Sequence, residues 1–77
     1  MVVKELENTY AIWTRDNGLG VVVCTTEENG RIEYHIIWQD GKDDVPVIYG
    51  PEDIEDGNLL IIQGRFEVIQ TLYGQKS

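Results

Sequence analysis

Few residues of this chain are able to do covalent or acid–base chemistry. Among 77 residues there is one histidine and one cysteine. His35 stands two positions from Glu33, on the same side of an alternating stretch. A catalytic histidine needs a nucleophile or a carboxylate held at hydrogen-bond distance. Cys24 is the available nucleophile, but it closes the apolar run Val21-Val22-Val23-Cys24, where a cysteine packs as a small inert side chain. No catalytic signature is present, and the expectation is a protein that is not an enzyme and holds no cofactor. One cysteine excludes an internal disulfide and a cysteine-built zinc site, and fits a reducing compartment.

Charge is the next chemical resource. The formal net charge is −8, which works against non-specific binding to a phosphate backbone, where lysine and arginine must neutralise phosphates. Seven of the fourteen acids fall between Asp40 and Gly57, against Lys42 alone. Hard cations take several carboxylate oxygens, yet Asp40-Gly41-Lys42-Asp43-Asp44 lacks EF-hand spacing and Lys42 opposes a cation. The segment reads as a solvated acidic loop without a metal, or as a surface that steers a basic protein partner.

The aromatics are Trp13, Tyr34, Trp38, Tyr49, Phe66 and Tyr73, with Tyr10 opening the first strand. They suit either a stacking platform for bases or a core. Tyr34 and Trp38 alternate with isoleucines and read as core. Trp13 shares a face with Arg15, away from Ile12, and is the aromatic expected to be exposed and binding.

The elements that must position these residues are short strands. In Arg31–Gln39, Ile32, Tyr34, Ile36 and Trp38 recur at every second position, the period of a pleated strand. Asn29-Gly30 and Asp40-Gly41 close its ends as tight turns. Tyr10–Thr14, Leu19–Thr26, Val45–Tyr49 and Leu59–Ile62 read as further strands, with Pro46 at a strand start or an edge. Phe66–Leu72 reads as a last strand. Gly50–Ile54 reads as a helical turn, with Pro51 near its start and acids following. Residues 1–9 read as an arm or a short helix, and 74–77 as a frayed tail. Turn dipeptides at 17, 29, 40 and 56 leave gaps of 12, 11 and 16 residues, the spacing of an all-β barrel or sandwich. The expectation is one domain over 1–77, a five- or six-stranded antiparallel small barrel with a helical turn near 51–54.

Three stretches carry a resemblance: Gly18-Leu19-Gly20-Val21-Val22, Tyr34–Gly41 with its Trp38-Gln39-Asp40-Gly41 end, and Ile48–Ile54. Together they resemble the SH3-like small barrels found among uncharacterised proteins of tailed phages, including the cyanophage type. Leu60-Ile61-Ile62-Gln63-Gly64-Arg65-Phe66-Glu67-Val68-Ile69 is similar to the second signature of Sm-like proteins, with Gln63 where that family has arginine and Phe66 near its asparagine. Both resemblances imply the same strand order. The Sm-like one implies a ring that binds single-stranded RNA, or by extension DNA, through Gln63, Arg65 and Phe66, and the exposed pair Trp13 and Arg15 joins them as expected contact residues. Fold alone carries no function.

The apolar surplus points to assembly. Val21–Cys24 and Leu59–Ile62 are apolar on both faces, while one small barrel has one interior. An exposed surplus of this kind marks an interface, and a free strand edge offers pairing. The sequence therefore predicts a homo-oligomer, cyclic if barrels pair edge to edge, through Val22, Cys24, Leu59, Leu60, Ile61, Ile62 and Val68. The expected role is a self-assembling binding or assembly module, phage-encoded by resemblance. The alternatives are the nucleic-acid ring and an acidic accessory protein docking on a basic host protein. No stretch is apolar for long enough to cross a membrane and the N-terminus lacks a signal-peptide core, so the expected location is the cytoplasm, or the virion for a phage protein.

Overall fold

A computed structural model describes residues 1–39, 41 and 45–73. Alternating and doubly apolar runs form six strands: β1 (Val2–Glu5), β2 (Thr9–Trp13), β3 (Gly18–Glu28), β4 (Arg31–Trp38), β5 (Val47–Tyr49) and β6 (Leu59–Gln63). Two helices complete the chain: α1 (Pro51–Glu55), between β5 and β6, and α2 (Phe66–Tyr73), after β6. All the strand pairs are antiparallel.

The order is β5-β4-β3-β2-β6, with β1 beside the distal half of β3. Among the described residues β5 and β6 do not pair, so the sheet is open rather than closed into the expected barrel. The β3–β4 hairpin turns on Asn29 (φ 55°) and Gly30 (φ 80°). Two successive left-handed residues give a turn whose twist matches the strands it joins. A bulge between Val22 and Cys24 shifts the β3–β4 register. It leaves the Val23 carbonyl to accept from the Leu6 N–H at 3.2 Å, and it turns Cys24 to the opposite face from Val22.

The sheet is packed on both faces. One face gathers Ala11, Val22, Ile36 and Leu59, with Leu6, Trp13, Tyr34, Trp38, Tyr49, Ile54 and Ile61 around them. The other gathers Tyr10, Ile12 and Leu19 beneath Ile69 of α2, with Ile62 alongside. Cover on both sides favours continuous apolar runs; here it accounts for Leu19 in β3 and Ile62 in β6, while Val21 (37%) and Leu60 (46%) stay exposed.

Of the two forms open to the N-terminal segment, residues 2–5 take the extended one, as a strand paired with β3 and not as a short helix. Two expectations are corrected here. Phe66–Tyr73 is helix, not strand. The Arg65 carbonyl accepts from the Val68 and Ile69 N–H groups at 3.0 and 3.1 Å, and helical spacing brings Phe66 and Ile69 to one face, which two-residue alternation would separate. Val22 (1% exposed) and Leu59 (0%) are core residues, not oligomer contacts, because they pack with Ala11 and Ile36 on one face of the sheet. The expected frayed tail at 74–77 and most of the acidic loop (Asp40, Lys42, Asp43 and Asp44) lie outside the described residues. No described helix is long and apolar enough to cross a membrane.

Candidate functional site

The site grows from a register. In the β2–β3 ladder Trp13 lies across from Gly18, and in the β3–β4 ladder Trp38 lies across from Gly20. Each indole thus faces a strand position without a side chain. A Cβ on Gly20 would come within 2.7 Å of both Ile36 Cγ2 and Trp38 Cε3, so the indole occupies the space that any other residue needs.

Tyr49, at the end of β5, completes the group. Ring centroids are 5.8 Å apart for Trp38–Tyr49 and Trp13–Tyr49 and 6.5 Å for Trp13–Trp38, with interplanar angles of 87°, 45° and 81°. Edge-to-face and tilted arrangements at these distances are the favourable ones for aromatic quadrupoles. The Trp38 indole N–H donates to the Tyr49 hydroxyl at 2.9 Å. Around the rings lies a cleft of about 220 Å³, lined by Trp13, Asp16, Gly18, Leu19, Trp38 and Tyr49. Both tryptophans of the chain line it.

Backbone bonds hold the rim. The Gly18 N–H donates to Asp16 Oδ1 at 2.9 Å, fixing one carboxylate oxygen in the β2–β3 turn. The Thr14 N–H donates to the Asn58 carbonyl at 2.9 Å and its hydroxyl to the Gly57 carbonyl at 2.8 Å. The Gln39 N–H donates to the Leu19 carbonyl at 3.0 Å. Among the described residues no lysine or arginine lines the cleft.

The residues expected to contact nucleic acid do not converge. Trp13 pairs with Leu59 and Thr9 with Gln63, at opposite ends of the β2–β6 ladder. Four residues of strand separate these ends by roughly 13 Å. Trp13 is half-buried on the cleft rather than exposed, because it packs against the Ala11, Val22, Ile36 and Leu59 cluster. Arg15 is exposed beside it. At the far end Gln63 is exposed, Arg65 Nε lies 3.7 Å from Glu67 Oε2, and Phe66 packs on Tyr10 with centroids 5.8 Å apart.

The expected interface also divides. Ile61 and Ile62 pack against opposite cores and Cys24 is half-buried. Leu60 (46%) and Val68 (53%) remain exposed. His35 lies across from Cys24 in the ladder, but its Nε2 is bonded to the Thr26 hydroxyl at 3.2 Å, and Glu33 faces Arg31 at 3.7 Å. Among the described residues no group of three or more His, Cys, Asp or Glu is placed to hold a metal ion.

A second polar constellation ties α1 to the hairpin. The Arg31 guanidinium bonds both carboxylate oxygens of Glu52, the Nη2–Oε2 bond at 3.0 Å. That hydrogen bond holds the Glu52 carboxyl below its ordinary range. Gly50 lies beneath the pair, and a Cβ there would collide with the Arg31 guanidinium and the Glu52 carboxylate.

Fold and site together define a small antiparallel β-sheet domain with an aromatic cleft at one end. No family model and no solved structure matches the chain. Among curated proteins it is similar to a stretch of the DNA primase DnaG of Metallosphaera sedula, 27% identical over 77 residues. The match takes in 99% of this chain and 18% of that protein, so the chain spans less than a fifth of the relative's length.

Proposed function

We propose that this protein is a non-enzymatic recognition module whose Trp13–Trp38–Tyr49 cleft receives an extended segment of a partner protein. The carrying observation is the cleft itself: about 220 Å³, walled by three aromatic rings, with both tryptophans at one end of the sheet. Tryptophan and tyrosine in a partly desolvated pocket are the residues that dominate binding energy at protein interfaces. The volume is below the ~300–1,000 Å³ of sites for drug-sized ligands and cofactors, and suits a side chain. The order β5-β4-β3-β2-β6, with α1 before β6, supports an SH3-like or Sm-like descent for the scaffold.

Part of the apolar surplus that argues for self-assembly is covered within the chain, while Val21 stays 37% exposed. Ile69 of α2 covers Tyr10, Ile12 and Leu19, which leaves Leu60 and Val68 as the exposed remainder of the expected interface. Recognition of another protein therefore has the stronger support. The likeness to a stretch of a DNA primase favours a second reading, a module serving nucleic-acid machinery, with the same cleft stacking a base.

A random dodecapeptide library screened on the purified protein tests the first reading, with oligo-dT in parallel. The expected result is enrichment of peptides that shift tryptophan emission and lose binding to Trp13→Ala. Oligo-dT binding that depends on Trp13, with no enriched peptide, overturns the protein-recognition reading in favour of the nucleic-acid one.

A further inference from the structure

We infer that the cleft is built to take an arginine side chain of the partner segment; this rests on the recognition reading above. Three features of the site converge on a cation. Aromatic faces carry negative quadrupole potential, and Trp is the best of them for a cation within about 6 Å of the ring. The charged group among the lining residues is a carboxylate, Asp16. One of its oxygens is committed to the Gly18 N–H, which orients the side chain on the rim and leaves its second oxygen for a donor from the occupant. The chain as a whole carries −8, a net charge that favours a positive occupant over a phosphate.

The cation is arginine rather than lysine for a reason of hydration. A guanidinium is planar, stacks on aromatic faces and is weakly hydrated, while an ammonium is a compact charge that holds its water. A cleft walled by two indoles and a phenol, with the Asp16 carboxylate at its edge, gives a flat cation a stacking surface and an acceptor. It gives an ammonium little to replace three lost water contacts. An apolar side chain of equal length would gain the stacking area and leave Asp16 without a partner.

The experiment uses the full chain and the peptides selected by the dodecapeptide library. The expected result is one register position enriched in arginine. In synthetic copies of a selected peptide, Arg→norleucine at that position weakens binding at least about tenfold and Arg→Lys by an intermediate factor. Asp16→Asn keeps an oxygen for the Gly18 N–H and weakens the arginine peptide about threefold, while the norleucine copy binds both proteins equally. Tryptophan emission reads binding at the cleft, and circular dichroism checks that the variant is folded. Trp13-dependent peptides with no arginine position, or an arginine peptide indifferent to Asp16→Asn, overturn this inference and leave the recognition reading standing. A library that yields no Trp13-dependent peptide removes both.

Discussion

The indole N–H of Trp38 donates to the hydroxyl of Tyr49 at 2.9 Å, across the β4–β5 ladder and inside the aromatic cluster. The bond sets the angle between two walls of the cleft. Tyr49→Phe keeps the ring and its packing but leaves a partly buried indole N–H without its acceptor. Losing such a bond costs about 0.5–1.5 kcal/mol. Urea unfolding followed by far-ultraviolet circular dichroism is expected to show a loss of that size with an unchanged slope. Tryptophan emission of the folded variant is expected to shift, since one of the two indoles loses its polar partner.

Gly20 makes the room that Trp38 fills. Gly20→Ala places a methyl 2.7 Å from Trp38 Cε3 and from Ile36 Cγ2, the latter on a fully buried residue. Overpacking a filled core costs about 1–3 kcal/mol, so the variant is expected to fold with that loss and with a displaced Trp38. Gly30→Ala is a useful contrast. Its Cβ would meet nothing within 4 Å, and its cost comes from a φ of 80°. Gly20→Ala is expected to disturb near-ultraviolet tryptophan ellipticity and Gly30→Ala to leave it intact.

The Arg31–Glu52 pair gives the fold an acid-sensitive clasp. Hydrogen bonding to Arg31 lowers the folded-state pKa of Glu52. The folded protein therefore binds the Glu52 proton less readily than the unfolded chain. Its contribution is complete above the ordinary glutamate pKa and is lost as pH falls through the lower folded value. The thermal midpoint of Glu52→Gln is expected to lie below wild type at about pH 7 and to converge on it in acid, below the ordinary glutamate pKa. A constant gap over that range would show that the pair does not titrate. Both groups are exposed, so added salt is expected to narrow the gap at neutral pH.

Much of the sheet is legible in the residues and part of it is not. The alternation of Ile32, Tyr34, Ile36 and Trp38, with Asn29-Gly30 before it, specifies β4 and its hairpin because a period of two and a left-handed turn pair leave little else. Pro51 with its following acids specifies α1 for similar local reasons. Phe66–Leu72 is ambiguous locally: its β-branched and aromatic residues suit a strand, and contact with Tyr10, Ile12 and Leu19 decides for a helix. The same tertiary fact accounts for part of the apolar surplus, Leu19 of β3 and Ile62 of β6, and leaves Val21 and Leu60 exposed. The cleft had a signal that was readable: Gly18-x-Gly20 spaces two empty positions on one strand face, and tryptophans stand at the ends of the strands on either side. Linking them requires the register, which the sequence alone does not supply. In the sequence Trp13 shares its side of β2 with Arg15, and only the packing of Ala11, Val22, Ile36 and Leu59 on that side draws the indole inward.

Whether the chain stands alone turns on α2. Ile69 is 3% exposed over Tyr10, Ile12 and Leu19, and its Cδ1 lies 3.4 Å from where a Cβ on Gly64 would sit. Ile69→Ala removes the side chain that joins helix to sheet. The expected cost is about 2–5 kcal/mol, the range for aliphatic truncation in a packed core. In a domain of this size that is a large share of total stability. A helix of eight residues does not persist without its packing, so the variant is expected to release α2 and uncover the second face. Two measurements follow one another: urea unfolding for the stability loss, then light scattering for association. Wild-type protein is expected to scatter as the smaller species, and Ile69→Ala to associate as concentration rises, because an uncovered apolar sheet face seeks another. If the wild type already forms a ring and Ile69→Ala leaves its size unchanged, the surface that joins the subunits is elsewhere, and exposed Leu60 and Val68 become the residues to replace.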